Sequence, residues 1–113
     1  MGYSAVAEGM IFLDKTERKM AGIAAEFIRS SIAEYAEICK AGDEEICVTF
    51  CSGSQEYDEA VCRDLYAMVS HGCTGGHIDF RGEDGALWCH HYHEDTGEWK
   101  EHRGRIVYEG LGG

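Results

Sequence analysis

Residues 77–93 read HIDFRGEDGALWCHHYH, and the way this stretch folds back on itself decides the architecture. Apolar and polar side chains alternate on both sides of Glu83-Asp84-Gly85, the period-two pattern of two strands joined by a tight turn. A three-residue loop with Gly85 in the left-handed conformation pairs Gly82 with Ala86. That register predicts Phe80 opposite Trp88 and Ile78 opposite His90 on one face. The other face then carries His77 opposite His91 and Asp79 opposite Cys89. A four-residue turn at Glu94-Asp95-Thr96-Gly97 adds a strand with Lys100 beside His91 and His102 beside Cys89. Arg103-Gly104 predicts a further turn into a fourth strand at 105–109. Segment 76–109 therefore reads as a meander of three or four strands, whose last edge could also pair with a second copy in a homodimer.

Upstream, the period changes. Asp14 followed by Glu17 suits a helix start, and Met20, Ile23, Ala24, Phe27, Ile28, Tyr35, Ala36, Ile38 and Cys39 recur mostly at threes and fours. This predicts one long amphipathic helix over 15–40, closed by Gly42. Residues 46–51 alternate as a strand, Ser52-Gly53-Ser54 supplies a cap, and Tyr57, Val61, Leu65, Met68 and Val69 predict a helix over 55–71. A short strand is expected at Met10-Ile11-Phe12-Leu13. The expected fold is a single two-layer α+β domain, 1–113, with two helices packed on a mostly antiparallel sheet.

Composition limits the function. Among 113 residues, 21 are acidic and 10 are Lys or Arg, a net charge of −11. Such a field repels phosphate backbones and anionic headgroups, so direct binding to nucleic acid or membrane is disfavoured. No apolar run approaches the roughly 18 residues of a membrane span. No secretory signal opens the sequence, and Val6 stands where N-myristoylation wants Ser or Thr. The six cysteines are too sparse for a disulfide scaffold, and the expected setting is cytoplasmic with reduced thiols.

Two functional classes follow. The first is a non-catalytic module whose acidic surface engages a basic protein, as do inhibitors from phages and mobile elements that occupy the phosphate path of nucleic-acid-binding enzymes. Glu44, Glu45, Asp58 and Glu59 are its candidate contacts. The second is a metal-binding or ligand-cavity protein, with a hydrolase as its catalytic form, using the face that carries His77, Asp79, Cys89, His91, His93 and His102. Imidazole, carboxylate and thiolate are ligands for zinc, and three of them with a water make a reactive centre. Trp88, Tyr92 and Trp99 are candidates to line a ligand cavity. The first class is preferred because no catalytic motif is present. There is no Cys-x-x-Cys and no phosphate-cradling loop, and Asp43-Glu44-Glu45 lacks the spaced oxygens of a calcium site. Cys51, read as a strand-end thiol before a helix N-terminus, lacks a phosphatase arginine, since Tyr57 holds that place.

Overall fold

The computed structural model describes residues 3–53 and 55–104. Strand β1 (Ser4–Asp14) leads through a 3-10 turn (Lys15–Glu17) into helix α1 (Arg18–Ser31). Strands β2 (Tyr35–Lys40), β3 (Glu45–Cys51) and the short β4 (Gln55–Glu56) precede helix α2 (Glu59–Val69). Strands β5 (Cys73–Gly82), β6 (Leu87–His93) and β7 (Glu98–Gly104) complete the order. The sheet runs β2-β3-β1-β5-β6-β7, with β4 also paired to β1, and every pairing is antiparallel.

The expected α+β class holds, but the strands are not confined to the C-terminal half. The helix expected over 15–40 is three elements, the 3-10 turn, helix α1 and strand β2. Helix α1 stops at Ser31, where Ile32 and Ala33 both donate to the carbonyl of Ile28. The remainder becomes β2, whose residues pair with β3 from Tyr35↔Cys51 to Lys40↔Ile46. Gly42, with φ at +92°, turns the β2–β3 hairpin instead of closing a helix. Cys39 accordingly lies on a strand, directly opposite Cys47.

Asp14 does cap, but through Thr16: its Oδ1 accepts from Thr16 N at 3.0 Å and Thr16 Oγ1 at 2.7 Å, with no reciprocal bond from Glu17. Helix α2 is shorter than the expected 55–71 and is capped by Asp58, whose Oδ1 accepts from Ala60 N at 2.9 Å. The short strand expected at 10–13 is an eleven-residue strand in the middle of the sheet. The fourth meander strand expected at 105–109 lies outside the described residues.

Burial explains the layering. Both helices pack on one face of the sheet, where Ala5, Ala7, Ile11 and Leu13 of β1 meet Val48 and Phe50 of β3 and Ile78 and Phe80 of β5. Ala21, Ala24, Ala25 and Ile28 of α1 and Cys62, Leu65 and Val69 of α2 close this core. Small residues on β1 let the helices approach closely. The opposite face has no layer over it among the described residues. Among the described residues, no helix is long and apolar enough to cross a membrane.

Candidate functional site

The strand register sets which side chains share each face. His77 pairs with His91, Asp79 with Cys89 and Phe80 with Trp88, while His102 pairs with Cys89 and Lys100 with His91. Gly85, at φ +87°, makes the turn that fixes this pairing, and Gly82 N donates to Ala86 O at 2.8 Å. The uncovered face of β5, β6 and β7 therefore carries His77, Asp79, Cys89, His91, His93 and His102.

Three of these six come together. His93 Nε2 and His102 Nε2 lie 3.2 Å apart and share a hydrogen bond. The ring of His91 is centred 5.3 Å from that of His93 and 6.5 Å from that of His102. His77, Asp79 and Cys89 occupy the neighbouring rungs. Burial, and secondarily the Asp79 carboxylate, push the Cys89 thiol up, which keeps it a thiol and not a resting thiolate. Among the described residues, no group of three or more His, Cys, Asp or Glu side chains is placed to hold a metal ion as the side chains stand.

The four candidate partner-binding carboxylates are not one patch. Glu44 pairs with Lys15 at 3.2 Å, and Glu45 accepts from Thr74 Oγ1 at 2.5 Å. Asp58 caps α2, and Glu59 pairs with Arg63 at 3.3 Å. Glu45 lies beside Asp14 while Glu56, two residues before Asp58, lies beside Ser4, so the two pairs sit at opposite ends of β1. At the usual rise per residue that is roughly 30 Å. Cys51 lies between Glu8 and Tyr35 in the sheet and not at the N-terminus of α2, which removes the helix-dipole argument for its reactivity.

The covered face of β6 and β7 holds a second group that sequence reading placed in the core without asking for its partners. His90 is buried, and its Nδ1 meets the hydroxyl of Tyr66 on α2. Its Nε2 faces Glu101 Oε1 at 3.5 Å. Burial pushes the Tyr66 hydroxyl far above the ordinary phenol range, so it stays protonated, and because the Glu101 carboxylate can only accept, the neutral tautomer that satisfies both partners has Tyr66 donating to Nδ1. Nε2 then carries the imidazole proton toward Glu101. Tyr66 also stacks on Trp99, with ring centres 4.4 Å apart. The indole Nε1 of Trp99 is buried with no acceptor among the described residues. The signal was available: a histidine on an apolar strand face must find hydrogen-bond partners.

This network makes stability depend on pH. Burial holds His90 below the ordinary imidazole value, with the Glu101 and Glu59 carboxylates acting in the other direction. Above about pH 6.5, the reference value, His90 is neutral in both folded and unfolded chains. Below it the unfolded chain takes up the proton first, so stability falls until folded His90 itself protonates. Urea unfolding should show that loss between pH 7.5 and 5.5, and His90→Gln should reduce the slope. An unchanged slope would contradict the assignment.

Comparison of the chain with protein-family models, curated proteins and solved structures finds no match in any of the three.

Proposed function

We propose that this protein binds a divalent transition metal, zinc being the reference ion, through His91, His93 and His102 on the uncovered sheet face. The 3.2 Å separation of His93 Nε2 and His102 Nε2 carries this reading. Two imidazoles on one tetrahedral zinc, with Zn–N bonds of 2.0–2.1 Å, hold their nitrogens about 3.3 Å apart. Rotation of the exposed His91 ring, already beside both others, adds a third ligand.

Three supports act together. The sheet backbone under β6 and β7 is held by ladder hydrogen bonds, so bringing the rings together costs only side-chain entropy. The net charge of −11 concentrates cations at the surface. The flanking positions are open to water or to a ligand from another molecule, which suits binding and release more than permanent structural retention.

Calorimetric titration with zinc at neutral pH is expected to saturate at one ion per chain. Ligation needs neutral imidazole, so binding should weaken steeply toward pH 5. Absence of saturable binding at neutral pH would overturn the reading. The basic-partner reading has net charge behind it but no assembled surface, since its four candidate carboxylates are divided between the two ends of β1.

A further inference from the structure

We infer that the cleft between α2 and the overhanging strands β6 and β7 is a binding site for a small aromatic amine in its cationic form. This does not rest on the metal site, which lies on the other face of the same strands.

Helices α1 and α2 cover the centre of the sheet, and β7 projects beyond them. Two adjoining hollows result, of about 330 and 300 Å³, and both are bounded by Glu59 of α2 and Glu101 of β7. Each is at the lower end of the range for small-molecule sites. Aromatic rings line both: Tyr66 and Trp99 in the first, Tyr57 and Trp88 in the second. Tyr57 meets Trp88 edge-on, with centres 5.2 Å apart.

Two carboxylates that border both hollows, with aromatic side chains on either side, are a combination that attracts an organic cation. The arginines nearby do not reverse this. Arg63 is tied to Glu59 at 3.3 Å and Arg103 to Glu101 at 3.4 Å, and their side chains are 72% and 74% exposed. Exposed pairs of that kind hold weakly and can open toward solvent. An anion would have to draw on those arginines and on Lys100, which also lines the first hollow, against a net charge of −11.

Trp88 and Trp99 are the chain's two tryptophans, so intrinsic fluorescence reports on the cleft directly. The full chain, with chelator present, would be titrated with 2-phenylethylammonium, with neutral 2-phenylethanol and with the anion 3-phenylpropionate. The ammonium is expected to change the emission saturably, with the alcohol and the anion at least tenfold weaker. Glu59→Gln and Glu101→Gln, each checked for an unchanged circular dichroism spectrum, should each weaken the ammonium by tenfold or more. The His93→Ala, His102→Ala double variant should bind it normally. No saturable change, equal binding of the alcohol, preference for the anion, or indifference to Glu59→Gln would overturn the assignment.

Discussion

Alanine at both His93 and His102 is expected to abolish saturable zinc binding. The pair supplies the two nitrogens already at ligand spacing, and without them only His91 remains of the three-imidazole group. Losing even a supporting partner of a metal ligand costs about 10–100-fold in affinity, so losing two ligands should exceed 100-fold. The fold should not suffer. His102 is exposed and His93 half-buried, both on the uncovered face, and substitutions away from the core usually change stability by no more than about 0.5 kcal/mol. His71→Ala, beyond the end of α2, is the matched control and should bind as the parent does. Zinc binding that survives the double substitution would place the metal elsewhere.

The second large effect is a contrast between two glycines. A β-carbon on Gly9, in the central strand, would stand 2.5 Å from the carbonyl oxygen of His77 and 2.8 Å from the Cα of Ile78. Both are backbone atoms of β5, so relief requires the two strands to separate. Overpacking of this kind typically costs about 1–3 kcal/mol. A β-carbon on Gly22, inside α1, meets nothing within 4 Å. There alanine removes the glycine penalty of a helix interior, up to about 1 kcal/mol. Gly9→Ala should therefore lower the melting temperature and Gly22→Ala raise it. At about 4–8 °C per kcal/mol for a small domain, both shifts are measurable by calorimetry. A neutral Gly9→Ala would mean that β1 and β5 do not pack as described.

What the sequence disclosed follows from how local each signal is. The β5–β6–β7 register was legible because short turns with Gly85 and Gly97 join clean alternations, and each rung then follows from its neighbour. The histidine face came with it. The α1 boundary was not legible, because Ala36 and Ile38 fit a two-residue period as well as they extend a helical stripe. Pairing with β3, a tertiary contact, decided the matter. Strand β1 was underestimated because its covered face begins Ala5, Ala7, Gly9, residues too small to announce a buried strand. The Tyr66–His90–Glu101 network needs α2 laid against β6, and Tyr66 is 24 residues from His90. No local pattern spans that distance. The same packing creates the cleft, which is why Trp88 and Trp99 could be named as cavity candidates while its carboxylates could not.

The most direct test is to follow the imidazole nitrogens themselves. With ¹⁵N-labelled histidine, zinc added to one equivalent should shift the Nε2 resonances of His93 and His102, with His91 following. His71, and His90 held between Tyr66 and Glu101, should stay in place. Unmoved His93 and His102 signals, or shifts centred on His71 or His90, would contradict the account.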